Sequence, residues 1–180
     1  MSFLTHFPVP LLGFAAFSGV GKTTLIEQLI PLLTKQGLNI GLVKHSHHDI
    51  EMDKPGKDSY RLRKAGASQL VLAGPQRSIL FNEYDKPKES TLTEQLQLLQ
   101  TDSLDLVLVE GFRHESFNKI ELHRCELDKP FLYTEDPSII ALACDQPIDG
   151  CSLAQLNINE VDKIAHFIID FVEHFNRCKH

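Results

Sequence analysis

No stretch of this 180-residue chain approaches 18 consecutive apolar residues, so the sequence predicts no membrane-spanning helix. Positive charge is not in excess. Lysine and arginine number 18 against 24 aspartates and glutamates, giving a net charge of −6 and a pI near 5.8. A dedicated nucleic-acid binder would usually be basic, so neither nucleic acid nor membrane is expected as a partner. Cysteine is scarce: Cys125, Cys144, Cys151 and Cys178 form no C-x-x-C pair. Cys144 sits inside an apolar run and reads as a small core residue. This usage fits a reducing, cytoplasmic setting. The N-terminal segment lacks the early Lys or Arg of a signal peptide, and its apolar stretch runs straight on into the chain. There is no repeat, low-complexity tract or linker, so residues 1–180 are expected to form one domain.

What is present is ordinary globular composition, 42% hydrophobic and 23% charged, with enough length for a sizeable core. Strand and helix patterns alternate, which argues for a mainly parallel sheet with helices on both faces. Leu11–Ala15 reads as a buried strand. A helix is expected from Lys22 to Lys35, stopped by Gly37, and a second strand from Leu38 to Lys44. A short helix from Asp58 or Ser59 to Lys64 and a hairpin over Gln69–Ala73 and Ser78–Phe81 follow. A helix from Thr91 to Leu99 then precedes Leu104–Val109, the strongest strand pattern. Lys119–His123 alternates apolar and polar residues, like an edge strand. Ile139–Cys144 reads as another buried strand. The last helix carries Val161, Ile164, Ile168, Phe171, Val172 and Phe175 on one stripe.

Between the first strand and the first helix stands Ala16-Phe17-Ser18-Gly19-Val20-Gly21-Lys22-Thr23-Thr24. This is a phosphate-binding loop in the context that such a loop requires. Gly19 and Gly21 let the backbone curl around an anion, and the helix aims its first N–H groups at the same spot. Ser18 through Thr24 are therefore the expected nucleotide contacts. Lys22 reaches the β- and γ-phosphates, and Thr23 ligates Mg²⁺. Ala16 stands where the strict pattern has glycine.

Two further stations lie at strand ends. Glu110, at the tip of Leu106–Val109, is placed to hold Mg²⁺ or polarise a water, and Gly111 permits close backbone approach. Lys44-His45-Ser46-His47-His48-Asp49 follows the second strand, where open α/β sheets bind their ligands. Asp49, with Asp53 beside it, is a second candidate for Mg²⁺. His45, His47 and His48 suit substrate or partner contact better than zinc, because no cysteine is near and the spacing is not tetrahedral. Asp145, at the end of Ile139–Cys144, can accept from both N1–H and N2–H₂ of guanine, donors that adenine does not pair.

Taken together, four segments resemble the molybdopterin-guanine dinucleotide biosynthesis adapter (MobB) family. They are Gly19–Thr24, Lys44–Asp49, the block Asp53-Lys54-Pro55-Gly56-Lys57-Asp58-Ser59, and Val109-Glu110-Gly111-Phe112-Arg113-His114. The resemblance runs from about Leu11 to Phe175, and the Asp53–Ser59 block is its discriminating piece. It implies a three-layer α/β phosphate-loop NTPase fold with a hairpin extension. It also implies a homodimeric GTP-binding protein with feeble GTPase activity; from the residues, Lys22 and Glu110, with Mg²⁺, are the groups expected to serve hydrolysis. Such a protein assists the molybdenum cofactor guanylyltransferase that joins GMP to molybdopterin, alongside molybdopterin-handling proteins. Arg113 is the nearest candidate for an arginine finger or a partner contact. The competing reading from the residues is a phosphate-loop small-molecule kinase.

Overall fold

The computed structural model describes residues 3–46 and 48–179. Its backbone forms two compact units, one of residues up to 45 together with those from 91 onward, the other of residues 46–90.

The larger unit is built on a six-stranded sheet. Its strands are β1 (Leu11–Ala15), β2 (Ile40–Lys44), β5 (Leu106–Glu110), β6 (Lys119–His123), β7 (Ile139–Cys144) and β8 (Ala154–Asn157). Their order is β2-β5-β1-β6-β7-β8, and every pairing is parallel. A parallel sheet covered on both faces needs strands without a polar side, which is why LLGFA and LVLVE are apolar almost throughout. Leu12, Phe14, Leu106, Leu108, Ile120, Leu122, Ala141 and Ala143 pack one face against α1 (Lys22–Lys35) and α4 (Val161–Cys178). α1 presents Leu25, Ile26, Leu29 and Leu33, and α4 presents Ile164, Ala165, Ile168 and Val172. The other face, with Leu11, Val43, Val107 and Val109, takes α3 (Leu92–Leu96) and an N-terminal 3-10 turn (Phe3–His6). This is the expected three-layer α/β architecture. Helix α3 is shorter than the expected Thr91–Leu99, and Thr91 caps it with a reciprocal bond to Glu94.

Lys119–His123 is not an edge strand. β6 is hydrogen-bonded to β1 on one side and β7 on the other, and all five residues are buried. The polar half of its alternation is satisfied locally. Lys119, 2% exposed, donates to Asp136 Oδ2 at 2.9 Å and to Ser138 Oγ at 2.6 Å. Both Glu121 oxygens accept backbone N–H groups, of Leu132 and Tyr133, at 2.8 Å each. The His123 ring lies 4.1 Å from that of Phe131. Gly13 on β1 makes room for this arrangement, because a Cβ there would stand 2.7 Å from Phe117 and 3.2 Å from Lys119. The sheet ends instead at β2 and β8, and β8 carries no apolar run that would announce it in the sequence.

The smaller unit contains α2 (Asp58–Lys64) and the expected hairpin, β3 (Gln69–Ala73) and β4 (Ser78–Asn82), as a two-stranded sheet of its own. Its centre is Arg63. The guanidinium reaches Glu51 at 2.9 Å, Asp53 at 3.5 Å and Glu83, and it stacks 4.3 Å above the Phe81 ring. Among the described residues no helix is long and apolar enough to cross a membrane.

Candidate functional site

The carboxyl ends of β1, β5 and β7 carry the phosphate loop, Glu110 and Asp145. Gly19 and Gly21 adopt φ of 87° and 99°, a region open to glycine and strained for other residues. Gly21 is the N-cap of α1, and no side chain caps the helix there. The first N–H groups of α1 thus receive no side-chain cap, and a helix start of this kind favours an anion such as phosphate. Ser18, Thr23 and Thr24 are exposed on this turn and Lys22 is half-buried. Val20 points the other way, 4% exposed, and anchors the loop in the core.

The second station closes on the first. The Thr23 hydroxyl donates to Glu110 Oε1 at 2.7 Å, and Lys44 Nζ sits 3.0 Å from Glu110 Oε2. Register explains the Lys44 contact, since Lys44 is the direct partner of Glu110 across β2 and β5. Burial alone would raise the Glu110 carboxyl, but the Thr23 hydroxyl, Lys44 and Lys22 outweigh it and hold it below the usual range. An ionised carboxylate beside a hydroxyl is a hard, oxygen-only pair, and it fits Mg²⁺.

After Glu110 the chain turns sharply through Gly111 at φ 102° and Phe112 at φ 52°. A Cβ on Gly111 would lie 2.5 Å from the His45 Cβ, so this glycine admits the β2 chain end. The His45 N–H donates to the Glu110 carbonyl at 2.8 Å, and its ring lies 4.7 Å from that of Phe112. Arg113 follows, exposed, with Nε donating to His114 Nε2 at 3.2 Å. Arg113 and His114 border a cavity of about 660 Å³ whose other walls include Phe17, Phe131 and Asp136.

The third station is Asp145. Its Oδ1 accepts the Cys125 N–H at 3.0 Å and the Cys144 thiol at 3.5 Å. The Cys125 N–H is the leading cause that holds the carboxyl below its usual range. Desolvation, then Cys144 and Asp145, push the Cys125 thiol up to about 12, so at neutral pH it is a thiol.

Asp49 and His48 fall in the smaller unit, both exposed; His47 lies outside the described residues. The His48 N–H donates to Ser46 Oγ at 3.1 Å. Asp53 accepts from Ser59 Oγ at 3.1 Å and faces Arg63, so the Asp53–Ser59 block closes on itself around the guanidinium. Two contacts carried no signal of their own. Lys44 lay in a segment expected to face the ligand, but its pairing with Glu110 shows only through the register of β2 and β5. Arg124 donates from Nε to the Val20 carbonyl at 3.1 Å, across 104 residues of sequence.

Sheet order, strand-end acid and glycine turn together define a phosphate-loop NTPase-type α/β fold. A family model described as "Molybdopterin guanine dinucleotide synthesis protein B" (MobB) matches residues 11–145. The chain is 46% identical over 169 residues to the molybdopterin-guanine dinucleotide biosynthesis adapter protein of Escherichia coli (strain K12), covering 93% of this chain and 96% of that one. It is 42% identical over 171 residues to the protein of the same name from Haemophilus influenzae, covering 95% and 94%. A crystal structure of molybdopterin-guanine biosynthesis protein B superposes with a TM-score of 0.71 at 27% identity, covering 91% of this chain and 99% of that one. Bacillus subtilis MobB, at 24% identity and a TM-score of 0.68, shares the fold. The chain belongs to the MobB family, with an adapter role in molybdopterin guanine dinucleotide biosynthesis.

Proposed function

We propose that the adapter role is exercised through a GTP·Mg²⁺ site, with weak GTPase activity, on the carboxyl rim of the sheet. The observation that carries this reading is the contact of Thr23 with Glu110, which joins the phosphate loop to a strand-end carboxylate 87 residues away. Lys22 and the loop N–H groups hold the phosphates, Thr23 and Glu110 hold the metal, and Asp145 reads the base. The cavity beside Arg113, within the size range of small-molecule sites, supports a second ligand such as molybdopterin. His45 and His48 are proposed as contacts to molybdopterin or to the guanylyltransferase.

Asp145→Asn tests the nucleotide assignment. The Cys125 N–H needs an acceptor at Oδ1, so the asparagine carbonyl takes that place and its NH₂ replaces Oδ2. A donor then faces a guanine donor, at an expected cost of about 1–3 kcal/mol in GTP affinity. Xanthine has a carbonyl where guanine has its amino group, so preference shifts toward the xanthosine nucleotide. Calorimetry with GTP, XTP and ATP reads both effects; unchanged GTP affinity in the variant makes Asp145 a turn residue only.

Arg113 is exposed and paired with His114. Without a committed arginine finger, hydrolysis by the protein alone is expected well below about 1 s⁻¹, the lower end for working kinases. Phosphate release at or above that rate, with no partner, favours a kinase instead.

A homodimer is proposed from the hairpin. Val71 is 65% exposed, and Leu72 and Leu80 are 44% exposed, on a two-stranded sheet too small to bury them. Pairing with a second copy covers them by the commonest form of assembly. Light scattering at micromolar concentration should give twice the 20.3 kDa chain mass; a monomer mass excludes the dimer.

A further inference from the structure

We propose that Cys125, Cys144 and Asp145 form a binding site for a thiophilic divalent cation of the zinc class, with an open fourth position. The three residues come from the ends of two neighbouring strands. Cys144 ends β7, is buried, and is locked by its carbonyl, which accepts the Ile158 N–H at 3.0 Å. Cys125 opens the 3-10 turn that follows β6 and is only partly covered, so the site has an entry path. The two sulfurs stand 3.6 Å apart, and the Cys144 sulfur is 3.5 Å from Asp145 Oδ1. One ligand atom from each residue lies within 4.8 Å of the others. Zinc takes thiolate at about 2.3 Å and carboxylate at about 2.0–2.2 Å. In a tetrahedron those lengths separate two sulfurs by about 3.8 Å and a sulfur from an oxygen by about 3.6 Å. The sulfur–sulfur and Cys144 sulfur–carboxylate separations therefore already stand within a few tenths of an ångström of tetrahedral spacing, and the third pair lies within 4.8 Å.

Two S–H bonds break on binding, two protons leave to solvent, and two metal–sulfur bonds form. Asp145 contributes as a carboxylate, so three negative charges meet two positive ones. Soft thiolate donors select zinc, cobalt or cuprous ions over magnesium, which keeps this site chemically separate from the hard oxygen pair at Thr23 and Glu110. Three protein ligands leave one corner for water or an incoming sulfur or oxygen ligand, the pattern of open rather than closed zinc sites. Asp145 is shared with the nucleotide reading, but neither sulfur is, so a cysteine variant tests the metal site alone.

The experiment is a Co²⁺ titration of the full chain carrying Cys151→Ser and Cys178→Ser, under a phosphine reductant. Cys125 and Cys144 are then the only thiols. One Co²⁺ per chain is expected, with a near-ultraviolet sulfur-to-cobalt charge-transfer band and tetrahedral visible bands, all displaced by Zn²⁺. Adding Cys125→Ser, at the partly exposed position where folding is least at risk, should remove the band and weaken binding at least tenfold. Cobalt binding without the sulfur band places the ion on histidines and overturns the proposal. So does a band that survives in the Cys125→Ser protein, or no stoichiometric binding at all.

Discussion

Replacing Lys22 by alanine is expected to lower nucleoside triphosphate affinity by about 1.5–3 kcal/mol, roughly 10- to 150-fold, with the fold intact. The side chain is the first residue of α1 and is half-buried on the loop rather than in the core. Its loss removes a point charge from the phosphates and a stabilising neighbour from Glu110. Thr23→Ala should behave differently. It removes the hydroxyl that donates to Glu110, so its deficit should appear with Mg²⁺ and shrink without it. Calorimetry with and without Mg²⁺ separates the two variants. A Lys22→Ala protein that binds GTP as tightly as the parent ends the phosphate-site assignment.

Asp136→Ala is expected to cost the fold about 3–5 kcal/mol, because it leaves the Lys119 ammonium buried without its counter-charge. Ser138 Oγ still accepts from Lys119, but it is neutral, and it loses the Asp136 Oδ1 to which it donates. Denaturant unfolding measures the loss, and Lys119→Met added to Asp136→Ala should recover much of it. A loss under about 1 kcal/mol would show that water reaches the ammonium. The pH dependence has a defined sign. Burial raises the Asp136 carboxyl, but Ser138 and Lys119 outweigh it and hold it below the ordinary 3.8. Its contribution is thus complete above pH 3.8 and is lost as the pH falls through the lowered value. Glu121 runs the opposite way. Burial raises its carboxyl above 4.5 despite the two backbone donors, so its ionisation lowers stability as the pH rises through and beyond that value.

Leu11–Ala15, Leu106–Glu110 and Ile139–Cys144 were readable because strands covered on both faces must be apolar throughout. The bounds of α1 were readable from Gly21 and Gly37. β6 misled because Lys119, Glu121 and His123 look solvent-facing, and only Asp136, Ser138, Phe131 and the Leu132 and Tyr133 amides show otherwise. Those partners sit 8 to 19 residues downstream in a segment with no regular pattern. At the rim, the phosphate loop and Glu110 were legible because each follows a recognisable strand. The sulfur pair was not, since Cys125 and Cys144 approach only through the β6–β7 register, in which His123 pairs with Cys144.

The Arg124 clasp has a consequence for how the chain folds. Its guanidinium holds the Val20 carbonyl and, at 3.4 Å, Asn159 just ahead of α4. The loop at residues 16–24 is therefore tied to chain made more than a hundred residues later. Contacts of such separation close late, since the entropy of the intervening chain must be overcome first. A fragment ending before Arg124 would carry every letter of the loop motif and lack the contact that fixes its carbonyl. Ordering of the loop should thus be among the last events of folding, after the sheet has closed around β1.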